Sequence, residues 1–224
     1  MALRYALGQA RASSASNPIT FSYTVNTGDR VVVLLLKVNG ATDRAGGAPT
    51  WGSATFTQAN ATQKAAASPE ASCEIWYLLN PEPGTQTLTI PNTGALTIFY
   101  TVGLGQDPNN KRVAFDSANG GNATSSNPTP GAVTTGDDGA LLFAITAGGW
   151  QTWNPSAQAG TAINNNDDGA HGEGSQYLEQ AVHASVTLNW TFGTSDDWGA
   201  VVAAFTPLPS NVIDNYKRVG ASVG

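Results

Sequence analysis

Two short apolar runs, each entered through a tight polar turn, constrain this chain more than any other feature of its sequence. Residues 31–36 (Val-Val-Val-Leu-Leu-Leu) follow Gly28-Asp29, and residues 140–146 (Ala-Leu-Leu-Phe-Ala-Ile-Thr) follow Asp137-Asp138-Gly139. Such runs are far too short to cross a bilayer. Bounded by turn residues and rich in Val, Leu and Ile, they read as central strands buried on both faces. A chain that hides two such strands has to cover each of them twice.

The flanking segments supply candidates. Residues 19–25 alternate strictly, with Ile19, Phe21, Tyr23 and Val25 on one face. Residues 51–58 and 73–79 read as two further strands, and Asn80-Pro81-Glu82-Pro83-Gly84 is a turn that no central ladder accommodates. Residues 85–90 alternate again, and 96–102 form an apolar strand. The same grammar returns in the second half, with strands expected at 175–181, 185–192 and 200–205. No segment sustains a helical period, and Pro69 stops the Ala-rich stretch 59–71.

This order predicts an all-β fold, a jelly-roll-like antiparallel β-sandwich over residues 19–207 with long polar loops and extended terminal arms. Its two similar halves span about 19–102 and 132–207. Residues 1–18 read as an N-terminal arm or edge strand, and residues 208–224 as a C-terminal arm. Residues 107–131 read as loop, with a short strand at 112–115.

Composition narrows the function classes. Only 12% of the residues are charged, which leaves too little Lys, Glu and Arg for exposed helices. The net charge of -6 and the lack of a basic stripe exclude a nucleic-acid partner. No membrane segment is expected, and the first 18 residues hold no apolar core of signal-peptide length. A secreted-looking composition without a signal suits a virus particle, made in the host cytoplasm and exposed on release.

No residue constellation marks an enzyme. There are two histidines, His171 and His183, and no nucleophile elbow, zinc helix or phosphate loop. The carboxylate pairs are sequence neighbours, which on strands point to opposite faces. The loop 164–174 gathers Asn, Asp and Gly, and Asp167, Asp168 and Glu173 are the residues that would hold calcium there. Its spacing is not that of an EF-hand and its composition is that of a turn, so no metal or other cofactor is assigned. Replacing Asp168 and Glu173 together by Ala is then expected to leave stability unchanged. Cys73, the only cysteine, reads as a small buried hydrophobe. Trp51, Trp76, Trp190 and Trp198 read as core. Trp150 and Trp153 fall in a Gly-rich loop, where an indole serves a protein contact or a sugar ring, or folds back over an edge of the sandwich. In the C-terminal arm, Ile213 and Tyr216 are the apolar side chains available for assembly.

The strand and turn motifs resemble a domain of tailed-phage virion proteins, also found in prophage and bacterial surface proteins. The resemblance rests on Gly28-Asp29 with residues 31–36, Trp51-Gly52 with Phe56-Thr57-Gln58, and Ile75-Trp76-Tyr77-Leu78-Leu79-Asn80-Pro81. It continues through Gly84-Thr85-Gln86-Thr87-Leu88-Thr89-Ile90 to Trp198-Gly199-Ala200-Val201-Val202-Ala203-Ala204-Phe205. It spans about residues 19–207 and supplies no catalytic residue. It implies a non-enzymatic virion structural role, such as capsid decoration, head fibre or tail component. The expected partners are other virion proteins, further copies of the chain and a host-surface glycan. The alternative is a carbohydrate-binding β-sandwich module using Trp150 and Trp153.

Overall fold

A computed structural model describes residues 2–39, 47–65, 71–92, 96–109, 111–149, 155–167 and 172–208. Trp150, Trp153, Asp168, Ile213 and Tyr216 lie outside the described residues, as do the side chains of Lys64, Asn166 and Asp167. The described residues are all-β, without a helix. Eleven strands are seven residues or longer. They are β1 (Arg4–Ser14), β2 (Ile19–Val25), β3 (Asp29–Asn39), β4 (Ala71–Leu79), β5 (Gly84–Ile90) and β6 (Thr97–Gln106) in the first half of the chain. The second half carries β7 (Val113–Ser125), β8 (Ala140–Gly148), β9 (Thr161–Asp167), β10 (Gly172–Gln180) and β11 (Asp196–Pro207).

Each half builds its own large sheet. The first runs β1-β6-β3-β4 and ends on the short strand Thr57–Gln58, and the second runs β7-β11-β8-β10-β9. The two orders match strand for strand when β1, β6, β3 and β4 are laid on β7, β11, β8 and β10. Each large sheet is capped on its outer side by a smaller layer. In the first half this is β2-β5 with Thr50–Trp51 and Ala54–Thr55. In the second half it is two short ladders, Val133–Thr134 with Ser185–Val186 and Ser156–Ala157 with Trp190–Thr191.

The large sheets pack on each other, so the chain has four layers and three cores. Val31, Val33 and Leu35 of β3 meet Leu141, Phe143 and Ile145 of β8 in the central core. The alternate residues, Val32, Leu34 and Leu36, turn outward to Leu88, Ile90 and Trp51. On β8 the alternates Leu142 and Ala144 meet Leu188, Trp190 and Phe192. Successive side chains of a strand face opposite ways, which is why residues 31–36 and 140–145 are apolar at every position rather than every second one.

The halves are related by a pseudo-two-fold. Tyr5 stacks on Tyr177 with ring centroids 3.8 Å apart, and Phe115 stacks on Tyr77 at 5.0 Å. Tyr5 is paired with Gly105 and Phe115 with Phe205, while Tyr77 pairs with Val33 and Tyr177 with Phe143. Each stack is therefore the counterpart of the other with the halves exchanged, as in an isologous dimer interface.

The structure corrects several expectations. The halves do not share one pair of sheets, since each makes a large sheet of its own. Of the two readings of residues 1–18, arm or edge strand, the edge strand holds. β1 is the edge strand of the first large sheet, and Leu3 is fully buried in the central core. The span 107–131 is mostly strand: β7 runs 13 residues along β11. Its Asn119-Gly120-Gly121-Asn122 centre has little strand propensity. Those small residues serve a close crossing, because a Cβ on Gly121 would lie 3.1 Å from the Thr129 carbonyl oxygen. The expected strand 51–58 breaks at Gly52, where φ is +56° and the chain turns back as a hairpin. The expected strand 185–192 is likewise two short pieces with different partners.

Candidate functional site

The main polar cluster among the described residues lies at one end of the contact between the large sheets. Glu173 stands on β10 between Ala147 and Asn166, fully buried. Its Oε2 accepts a 2.8 Å bond from Arg11 Nε of β1, across the boundary between the halves. The Arg11 guanidinium lies 4.1 Å from the centroid of the Phe99 ring, and Lys37 Nζ lies 4.8 Å from it. Both distances suit cation–π attraction. Among the described residues, two cations, a carboxylate and an aromatic ring thus share a site from which water is largely excluded. Nearby on the same contact, Asn164 Nδ2 donates to Thr101 Oγ1 at 2.8 Å. At the other end of β1, Glu179 Oε1 accepts from the Tyr5 amide at 2.9 Å and Glu179 Oε2 lies 3.7 Å from Arg4. The chemistry here is that of a clasp holding β1 to β10.

This placement overturns one expectation. Glu173 is a strand residue paired with Arg11 rather than a loop residue, so its replacement is expected to destabilise the chain. Asp167 ends β9; its side chain and Asp168 lie outside the described residues. Among the described residues no group of three or more His, Cys, Asp or Glu side chains is placed to hold a metal ion. Sequence reading missed Arg11, Lys37 and Phe99. Lys37 had a signal, as the one cation inside the apolar stretch 31–38; Arg11 had none, because its partner lies 162 residues away.

Two shallow clefts occupy equivalent ends of the halves. One, of about 380 Å³, is lined by Arg4, Thr27, Gly28, Gln106, Asp107 and Pro108. The other, of about 420 Å³, is lined by Gly136, Asp137, Asp138, His183, Lys111, Pro207 and Leu208. In the second, Asp138 Oδ1 accepts from the His183 amide at 2.8 Å and lies 3.0 Å from His183 Nδ1. The amide bond first, and then the ring, hold the Asp138 carboxyl below the usual carboxylate range. Both side chains are about two-thirds exposed, so the pair is a surface one whose energetic weight is small.

Cys73 faces the central core, where its thiol lies 3.8 Å from the Ile145 carbonyl oxygen. Burial, and secondarily Glu74, push its pKa well above the ordinary thiol range. A thiolate is the reactive form. The native chain is therefore expected to resist an aromatic disulfide reagent at pH 8 and to react with one equivalent in denaturant. Rapid reaction of the folded chain would contradict this burial. Trp51, Trp190 and Trp198 are buried and Trp76 packs half-buried on an outer core, so these four are framework.

The outer face of the first small sheet has a uniform chemistry. Thr20, Thr89, Thr50 and Thr55 form one row across four strands, and Ser22–Thr87 and Thr24–Thr85 form two more. Thr24 and Thr85 hydroxyls lie 2.7 Å apart. No charged or aromatic side chain interrupts these rows.

No known protein family matches the chain, and no curated protein does either.

Proposed function

We propose that the chain is a non-enzymatic structural component of a phage or phage-like particle, acting through protein–protein assembly. Capsid decoration, head fibre and tail component are the roles this reading covers. The observation that supports it best is the four-layer body. Both large sheets are covered on both faces, so the apolar surface is spent inside the body, and the outer face of the first small sheet is uncharged and rich in hydroxyls. The strand order of each half supports reading it as a variant of the jelly roll, an architecture used by viral capsid and lectin domains.

A fold alone does not assign a role, so surface features carry the rest. The long edges are blunted, because β1, β7 and β9 each contain a register shift. Irregular edges disfavour strand-to-strand addition. Assembly then proceeds through faces and loops, with other virion proteins or further copies as partners and a host-surface glycan as a possible contact of the exposed particle. The test is to purify particles from cells carrying the gene and to look for the chain by mass spectrometry and immunogold labelling. Labelled particles at regular positions are the expected result. A chain found only in the soluble fraction, or one that binds a glycan array and is absent from particles, overturns the reading.

A further inference from the structure

The faces joining the two halves are equivalent in backbone, yet their side chains differ in a complementary way. Gly103 of β6 lies under the Phe143 ring of β8, and a Cβ on Gly103 would come within 2.5 Å of the ring's Cε1. Exchanging the halves turns this pair into Ala203 and Val33, because Gly103 is laddered to Val33 as Ala203 is to Phe143. The first half supplies the hole and the second half the knob. The ion pair is equally one-sided. Glu173 is replaced in the first half by Cys73, since Lys37 is laddered to Cys73 as Ala147 is to Glu173. At the place of Arg11 the second half has Gly120, which faces Asn60 and Gln63.

We propose that the inner face of the first half is a heterospecific binding surface. Its fitting partner is a polypeptide bearing the inner face of the second half, not a second copy of itself. A self-pair of second halves sets the Ala203 methyl into the Phe143 ring twice, which overpacks the core. It also buries two Glu173 carboxylates with no cation opposite. A self-pair of first halves sets Val33 against Gly103 twice, leaving voids where the rings belong, and turns Arg11 toward a thiol. Specificity is a difference between pairings, and both self-pairs are worse.

The test produces residues 1–110 and 111–224 as two separately tagged polypeptides, which together comprise the whole sequence. Native mass spectrometry of the mixture is expected to show a 1:1 complex, at least tenfold tighter than either self-pair. Gly103→Ala is expected to weaken that complex at least tenfold, since it gives the first half the methyl that clashes. Self-pairs of either piece as tight as the mixed pair overturn the proposal, and so does an unaffected Gly103→Ala complex. Where a piece alone is insoluble, the full chain is purified with a protease site between residues 109 and 111 and then cut. The cut parent is expected to stay together on dilution and the cut Gly103→Ala chain to separate. Equal retention in both overturns the proposal.

Discussion

A chain lacking residues 1–14 is expected to lose its cooperative fold, because β1 belongs to both halves at once. Along its length it is laddered to β6 as the edge of the first large sheet. At its start the Leu3 amide donates to the Gly139 carbonyl oxygen at 2.9 Å, and the Leu3 side chain is fully buried in the central core. Removing a buried Leu side chain alone costs about 2–5 kcal/mol. The Tyr5–Tyr177 stack adds about 0.5–1.5 kcal/mol beyond its buried area. Deleting the strand also removes the partner of Glu173 and bares the long edge of β6. Set against a total stability of about 5–15 kcal/mol for an ordinary domain, these losses leave little. Circular dichroism and urea titration of the truncated chain check this, with an aggregated or non-cooperative product expected. A truncated chain with the parent's midpoint would show that β1 is dispensable and return it to the role of an arm for a neighbouring subunit.

The strands that the sequence announced are those whose pattern is local. β2, β3, β5 and β8 lie where alternation or a continuous apolar run placed them, each within a few residues. A repeated order of turns and runs also anticipated two similar halves. What could not be read was how the halves meet. A strand covered on both faces looks the same whether its second cover is a small outer layer or another large sheet, so residues 31–36 could not say that Phe143 and Ile145 lie against them. β7 was hidden for a different reason: its Gly and Asn residues are set by a crossing chain segment, and that requirement outweighs strand propensity. Glu173 was misread because Gly172 and Gly174 gave its surroundings a loop-like composition. Both glycines are strand positions. Gly174 is small because a Cβ there would lie 2.7 Å from Trp190 Nε1.

Glu173→Ala is expected to destabilise the chain by about 3 kcal/mol, a value at the low end for a broken buried ion pair. The low end applies because the Arg11 side chain retains 19% exposure and its guanidinium keeps the face of Phe99. The carboxylate itself is fully desolvated, and the cost of the single change comes mostly from the charge left behind. The double replacement Arg11→Met with Glu173→Met removes both charges and is expected to stay within about 1 kcal/mol of the parent, as apolar replacement of whole buried pairs often does. Urea unfolding of the parent, the two single Met variants and the double variant measures the coupling between the sites. A large positive coupling is expected, together with a weak dependence on salt, since a buried pair is screened little. A Glu173→Ala chain as stable as the parent would mean that this carboxylate is solvated and free, as the loop reading of residues 164–174 requires. The four-layer packing predicts the opposite, because the second large sheet can close on the first only with that charge answered.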